Sequence, residues 1–577
     1  MTPRGIVRRP ACTELASALP ASLHPVLRRV YAARALAGPA DLELGLDRLL
    51  PVGTLDGVED AADLLLATHR RGGSVLVIGD FDADGATSTA LVVRQLRRLG
   101  FPAVDYLVPD RFRYGYGLTP GIVELAAERR PALIVTVDNG VSSLEGVREA
   151  RQRGIDVLVT DHHLPGRTLP DATCLVNPNA AGNSFASKSL AGVGVAFYVV
   201  AALTRRMRDA AGAAANPADL LDLVALGTVA DVVPLDQNNR ILVSQGLRRI
   251  RAGRCVPGIV ALLAAAGRQA ESITAQDLGF AVGPRLNAAG RLEDMSVGIE
   301  CLLTEDAAQA RTIAARLSQL NADRKELQAR MQQEALEQLD ARLVEFETAM
   351  PAGVCVYDPG WHQGVIGLVA SRVKDRLHRP VVAFAPGDPG WVKGSARSVP
   401  GVNVRDVLEA VSTRHPQLIE RFGGHAMAAG MTLRQDDVAA FERAFADEVA
   451  RWVDEDTLSG RLHTDGELEP GEFTVDTAVA LAEGGPWGSG FPEPTFDGRF
   501  HVIDSRIVGS RHLKLRLRAG SGETADAIAF RYLDDPAAPA IRAQDRVEAV
   551  FRPAIDDYSG TRRLQLVTEW VGPADRS

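Results

Sequence analysis

Cysteine is sparse in this chain of 577 residues: Cys12, Cys174, Cys255, Cys301 and Cys355 lie far apart, with no Cys-x-x-Cys pair and no metal-ligand spacing. A disulfide framework and a thiolate zinc site are thereby excluded, and reduced core thiols of a cytoplasmic protein are expected. Nor is a secretory leader expected, since Arg4, Arg8 and Arg9 are followed by no continuous apolar segment. The longest apolar stretch, Leu190 to Leu203, is too short to span a bilayer and is broken by Gly192 and Gly194, so a buried helix and no membrane are expected. Nor is there an excess of positive charge. Lys and Arg number 64 against 73 Asp and Glu, a net charge of −9, so any polyanion must be held by local basic patches and metals. The length is enough for about two to four domains, each with its own core.

What stands out instead is Ser74-Val-Leu-Val-Ile-Gly-Asp-Phe-Asp-Ala-Asp-Gly-Ala86. Val75 to Ile78 has no polar alternation, as in a strand buried on both faces of a parallel sheet. Helical spacing runs from Ala86 to Leu99 and stops at Gly100. Asp80, Asp82 and Asp84 therefore fall at the carboxyl end of a strand, where open α/β sheets place their ligands. A single Asp-Gly pair is usually a solvated turn, but three alternating aspartates beyond a buried strand repel one another and call for a cation or a water-filled mouth. An EF-hand loop also opens Asp-x-Asp-x-Asp-Gly, yet its twelfth position needs Glu and here is Leu91.

Alternation of strands and helices from Leu49 to about Thr304 predicts a doubly wound α/β domain. Two of its strands repeat the opening theme: Ala132-Leu-Ile-Val-Thr-Val137 leads into Asp138-Asn-Gly140, and Asp156-Val-Leu-Val-Thr160 into Asp161-His162-His163. Parallel neighbours end on one sheet edge, so these groups converge with the first cluster. A further candidate is Asp231, where an apolar helix from Leu220 reaches an acidic end before Pro234. Alone, a buried Asp is more often structural. As a set, Asp82, Asp84, Asp138, His162 and Asp231 cannot all ionise without divalent cations. Oxygen-rich ligands with an imidazole suit Mg²⁺ or Mn²⁺ better than zinc, and the number of ligands predicts two ions. Such a pair serves hydrolysis of a phosphoester or phosphoanhydride.

Gly79-Asp-Phe-Asp-Ala-Asp-Gly85, Val137-Asp-Asn-Gly140, Asp161-His-His163 and Gly227-Thr-Val-Ala-Asp231 together resemble the successive motifs of the DHH phosphoesterase superfamily. More narrowly, the chain is similar over roughly residues 50 to 570 to the RecJ family of bacterial single-strand-specific 5′-to-3′ exodeoxyribonucleases. That resemblance implies one metal on Asp84, Asp138, His162 and Asp231 and another on Asp82 and Asp138, with Asp80 a candidate contributor. It implies that His163 orients the site or touches phosphate, with Asp161 behind it. Many superfamily members carry a His four residues before the middle aspartate, where this chain has Ile78.

Other stretches admit two readings each. Pro109 to Gly117 interleaves Arg111, Arg113, Tyr114 and Tyr116 with glycines, which suits an ordinary loop as well as phosphate contact and base stacking. Gly283 to Arg291 sets Arg285, Asn287 and Arg291 among small residues, either a tight helix contact or a phosphate site. The resemblance favours nucleic acid at both. From Glu305 to Phe346 there is neither Gly nor Pro, which predicts a long connecting helix. Beyond it, Gly360-Trp-His-Gln-Gly-Val-Ile-Gly367, Gly394-Ser-Ala-Arg-Ser398 and Gly423-Gly-His-Ala-Met-Ala-Ala-Gly430 resemble the DHHA1 domain. Ser395, Arg397 and His425 are its candidate phosphate ligands. Arg511-His-Leu-Lys-Leu-Arg-Leu-Arg518 alternates strictly, putting Lys514 and Arg516 on the polar face of a strand. In a charged outer surface that is commonplace; in the OB-like barrel that the resemblance implies, it tracks a single strand.

The expected architecture is α/β: an N-terminal helical segment (1–47), a doubly wound parallel-sheet DHH lobe (48–304), a connecting helix (305–346), a second α/β DHHA1 lobe (347–458) and a C-terminal OB-like β-barrel (459–577). The expected function is metal-dependent hydrolysis of single-stranded DNA from a 5′ end by a cytoplasmic monomer. A single-strand-binding protein and a helicase are the partners the resemblance implies. The alternatives are a phosphodiesterase of cyclic or very short nucleotides and a non-catalytic replication scaffold.

Overall fold

The apolar runs form one five-stranded parallel sheet: β1 (Val75–Ile78), β2 (Val104–Leu107), β3 (Leu133–Val137), β4 (Asp156–Thr160) and β5 (Cys174–Val176) in the order β2-β1-β3-β4-β5. This is a computed structural model describing all residues except 1–4, 11, 110–116, 167, 212–215, 347–350, 362, 365, 425–426, 454–459, 535–537, 558–560 and 575–577. Every residue of β1 and β3 is buried. Leu76 and Ile78 pack into one apolar cluster and Val75 and Val77 into another, so both faces of the sheet are covered. The absence of polar alternation in the sequence has this cause.

Helix α1 (Ala83–Arg98) follows β1 and is backed by α2 (Gly192–Ala211) and α3 (Leu221–Ala230). It starts three residues earlier than the spacing suggests, because the Asp82 carboxylate caps it by accepting from the Gly85 amide at 3.0 Å. Buried helix α2 begins at Gly192 rather than Leu190 and runs on to Ala211. Helix α4 (Gly283–Leu292) packs on the connecting helix α5 (Ala307–Phe346).

The second lobe is a mixed sheet of β6 (Val354–Tyr357), β7 (Val381–Pro386), β8 (Trp391–Arg397), β9 (Arg421–Gly424) and β10 (Ala428–Arg434), ordered β9-β10-β8-β7-β6. Phe384, Phe441 and Phe445 centre its core. A closed barrel follows, β11 (Phe496–Val508), β12 (His512–Ala519), β13 (Thr524–Ala529), β14 (Arg546–Asp556) and β15 (Arg563–Pro573), in the order β11-β12-β13-β15-β14. Leu513, Leu515 and Leu517 point into it, as the alternation requires.

The N-terminal segment docks on the C-terminal domain. Its strand Ile6–Arg8 pairs in parallel with Leu462–Thr464, and Arg34 meets Asp465 at 2.8 Å with both side chains almost fully buried. Arg29 bonds Glu472 at 2.8 Å and Arg8 bonds Asp497 at 2.6 Å. With Arg9, 3.3 Å from Asp465, four arginines strap this segment to the C-terminal domain. Among the described residues, no helix is long and apolar enough to cross a membrane.

Candidate metal centre and nucleic-acid cleft

The strand order reverses between β1 and β3, and a doubly wound sheet opens its ligand crevice at such a point. Asp80, Asp82 and Asp84 leave β1 there, and Asp138 leaves β3. His162 follows β4, while Asp231 caps the carboxyl end of α3, reaching the crevice from a helix instead of a strand. His162 Nε2 lies 3.1 Å from Asp138 Oδ1 and 3.4 Å from Asp231 Oδ2.

Potential ligand atoms gather in three overlapping groups, each within 4.8 Å: Asp84, His162 and Asp231; Asp138, His162 and His163; and Asp80, Asp82 and Asp138. Burial, together with the neighbouring carboxylates, raises Asp84 to about 7 and holds Asp80, Asp138 and Asp231 well above the usual carboxylate range. Asp231 Oδ2 is buried without a hydrogen-bond partner among the described residues. Crowded carboxylates that resist ionising, with an oxygen left open, fit a divalent cation well. The oxygen-rich donor set suits Mg²⁺ or Mn²⁺. Ile78 is fully buried in the core beneath the sheet and offers no donor, and the third candidate in the group of Asp82 and Asp138 is Asp80.

Surrounding residues fix these donors. Asp84 accepts from the amides of Gly192 at 2.7 Å and Val193 at 3.0 Å, at the start of α2. A side chain at Gly192 would bring its Cβ within 2.6 Å of Asp138, and one at Gly227 would come within 2.7 Å of Asp84 Oδ1; only glycine fits either position. Asp138 itself adopts φ of 60°, a costly conformation for a non-glycine residue. Asp161 accepts from the amides of Val141, His162 and His163 and lies 2.7 Å from His163 Nδ1. Burial opposes its charge, but the His163 hydrogen bond and charge outweigh it and bring Asp161 down to about 2. His163 is correspondingly raised, against the same burial, by Asp161. Sequence reasoning missed Asn139, whose buried amide donates to Ile78 O at 3.1 Å and Val137 O at 2.8 Å, tying β1 to β3.

A cleft of about 380 Å³ opens from this centre toward the second lobe. Asp82, Asn287 and Arg291 line one side, with Ser395, Arg397 and the backbone near Gly424 on the other. Asn287 also accepts from the Ala83 amide at 2.7 Å, linking the cleft to the aspartate turn. Arg397 bonds Ser395 Oγ at 3.0 Å, and burial, then the nearby Arg291, lowers its pKa, so the pair favours an anion between them.

Arg285 is not brought to the cleft. Its guanidinium donates to Ser318 at 2.8 Å and to the Ala281 carbonyl at 2.6 Å, which makes it a packing contact with α5. Helical geometry turns it away from Asn287 and Arg291. Arg111, Arg113, Tyr114, Tyr116 and His425 lie outside the described residues. On the barrel, Lys514 is half-buried and Arg516 exposed; Arg516 stands in register between Asp504 and Asp526, which offset its charge.

Residues 74–228 match the DHH family, N-terminal domain, residues 351–454 the DHHA1 domain and residues 464–569 the RecJ OB domain. The chain is 50% identical over 562 residues to the single-stranded-DNA-specific exonuclease RecJ of Escherichia coli K12, covering 96% of this chain and 97% of that protein. The crystal structure of RecJ in complex with Mn²⁺ from Thermus thermophilus is similar with a TM-score of 0.80 at 30% identity, covering 100% of this chain and 80% of that one. The corresponding Mg²⁺ complex gives 0.74 at 29% identity, covering 100% and 79%.

Proposed function

The chain belongs to the RecJ family of single-stranded-DNA-specific exonucleases, and on that premise we propose that it hydrolyses single-stranded DNA from a 5′ end with Mg²⁺ or Mn²⁺. The observation that carries this reading is the group of carboxylates and imidazole at the β1/β3 switch point, opening directly into a cleft lined by Arg291 and Arg397.

Asp84, Asp138, His162 and Asp231 would hold one ion and Asp80, Asp82 and Asp138 the other. Bound divalent ions supply electrophilic polarisation of the phosphoryl group, a nucleophilic water at neutral pH and stabilisation of the leaving oxygen. The chain's own groups do the positioning. Amides of Gly192 and Val193 aim Asp84, while the side chains of Asn179 and Asn177 donate to the carbonyls of His162 and His163, holding that turn. His163, whose protonated form Asp161 favours, stands beside the centre where it can meet a phosphate. Ser395, Arg397 and Arg291 grip the terminal 5′-phosphate and set the scissile bond over the aspartates. Arg285 supports α4 from behind and touches no substrate.

The barrel, with Lys514 on its outer face, holds the strand beyond the cleft. Neither a cyclic dinucleotide nor a scaffold role needs that barrel together with an intact ligand set. A cytoplasmic monomer, working beside a single-strand-binding protein and a helicase, is the cellular setting we favour. Polarity is tested with single strands carrying nuclease-resistant phosphorothioate links at one end: blocking the 5′ end should stop degradation and blocking the 3′ end should not. The converse pattern would overturn the assigned direction.

A further inference from the structure

Away from the cleft, a second cavity of about 370 Å³ lies where the N-terminal segment, the DHH lobe and the C-terminal domain meet. Its cationic wall is the helix Gln237–Arg251, which contributes Arg240, Arg248 and Arg251. Arg240 is only 8% exposed, and its Nε has no hydrogen-bond partner among the described residues. Phe491 holds its guanidinium 4.4 Å from the ring centroid, and the one hydrogen bond it makes among the described residues, to the Asp41 carbonyl, is long at 3.4 Å. A buried guanidinium with an unmet donor is costly to keep and points to an anion as its complement.

The acids at this cavity do not meet that need. Glu493 is engaged by Gln276 and Arg552, and Glu483 faces Arg251, which itself donates to the Ile273 carbonyl at 2.6 Å. Asp41 and Asp236 lie near Arg240 but accept from the amides of Ala37 and Gly38 and from Ser187 and the Asn239 amide, so neither bonds its guanidinium through a carboxylate among the described residues, and Arg248 is exposed. Leu23 and Leu42 from the N-terminal segment, and Leu247 from the arginine-bearing helix itself, give the cavity apolar surface. Its volume falls in the range of small-molecule sites, and its wall combines cationic with apolar side chains.

We propose that this cavity is a second binding site, distinct from the metal centre, for a nucleoside 5′-monophosphate: phosphate on Arg240 and Arg248, base against the leucines. The anion chemistry stands on the cavity alone, whereas the choice of a nucleotide rests on the exonuclease reading, since that reaction releases such products. Because three segments form the walls, an occupant fastens the C-terminal domain to the DHH lobe.

The test is calorimetric titration of dAMP and of inorganic phosphate into the full chain with a chelator present, which silences the metal centre, with nuclease activity assayed separately. With the cleft's phosphate grip removed by Arg397→Ala, saturable dAMP binding is still expected, and adding Arg248→Glu or Arg240→Met to that background should weaken it at least tenfold. Arg248 is exposed, so its variant stays informative even where Arg240→Met fails to fold. Absence of chelator-resistant binding in Arg397→Ala, or its persistence undiminished when Arg248→Glu is added, would overturn the site. Phosphate binding as tightly as dAMP would overturn the nucleotide assignment, and nuclease activity without any dAMP binding would sink this proposal while leaving the enzyme's function standing.

Discussion

The side-chain amide of Asn139 donates to the carbonyl of Ile78 at 3.1 Å, joining the strand that ends in Asp80, Asp82 and Asp84 to the strand that ends in Asp138. The same amide reaches Val137 O at 2.8 Å, so one fully buried group sets the spacing of the two carboxylate-bearing turns. Asn139→Ala should leave two carbonyls unmet and cost about 1–3 kcal/mol in a denaturant melt. Mn²⁺ affinity, measured by calorimetry, should fall about 10- to 100-fold, as for loss of other groups that orient ligands. Unchanged Mn²⁺ affinity in a folded variant would show that the spacing is set elsewhere.

Proton linkage gives a second expectation. A carboxyl raised by folding stabilises the folded state fully below its unfolded pKa of about 4, and that contribution is lost as pH rises through the folded value. With Asp84 near 7 and Asp80, Asp138 and Asp231 also raised, the metal-free chain should lose stability between about pH 4 and 7. Asp161, lowered to about 2, acts in the opposite sense, and only below that window. Thermal melts in chelator should therefore show a lower Tm at pH 8 than at pH 5, flattened in Asp84→Asn. Added Mn²⁺ should raise Tm more at pH 8 than at pH 5, because protons no longer compete for the ligands. A metal-free Tm that climbs over this interval would contradict the raised carboxyls.

Arg397 and Arg285 should behave as opposites. Arg397→Ala removes a charged phosphate contact worth about 1.5–3 kcal/mol, so kcat/KM on a 5′-phosphorylated strand should fall about 10- to 100-fold. On a strand ending in 5′-hydroxyl the loss should be much smaller. Arg285→Ala, by contrast, should lower the melting temperature and leave kcat/KM nearly unchanged, because its partners are Ser318 and the Ala281 carbonyl. A selective loss on 5′-phosphorylated substrate in Arg285→Ala would reverse the two assignments.

The strap formed by the N-terminal segment can be weakened at one residue. Arg34 and Asp465 are both nearly inaccessible and 2.8 Å apart. Arg34→Ala leaves a buried carboxylate with Arg9 as its remaining cation at 3.3 Å, and should cost about 3–5 kcal/mol in a denaturant melt. A loss under about 1 kcal/mol would place this pair among the weak, solvated ones.

Much of the metal centre was readable because strand-end chemistry is local: an unbroken apolar run followed by Asp-x-Asp-x-Asp-Gly, and again by Asp138 or by Asp161 and His162. Asp231 was readable as an acidic helix end, though not as a group arriving from outside the sheet. Gly192 and Gly227 carry no local signal for their closeness to Asp138 and Asp84, since only the packing of α1 against α2 and α3 creates it. Arg285 misled because small neighbours suggest a ligand and a helix contact equally. The N-terminal segment was opaque for a different reason: its partners, such as Asp465 and Asp497, lie at the far end of the chain, and short helices broken by proline say nothing about what they dock on.

The most direct test is cleavage of a 5′-phosphorylated single strand and of its blunt duplex in Mn²⁺, by the wild-type chain and by Asp138→Asn, the variant of the carboxylate shared by both proposed ions. The wild type should degrade the single strand to mononucleotides and spare the duplex, lose activity in chelator, and lose about a thousandfold in rate in Asp138→Asn, the several kcal/mol that metal charge stabilisation supplies. Undiminished, metal-dependent cleavage by Asp138→Asn would contradict the assignment of the switch-point cluster as the catalytic centre.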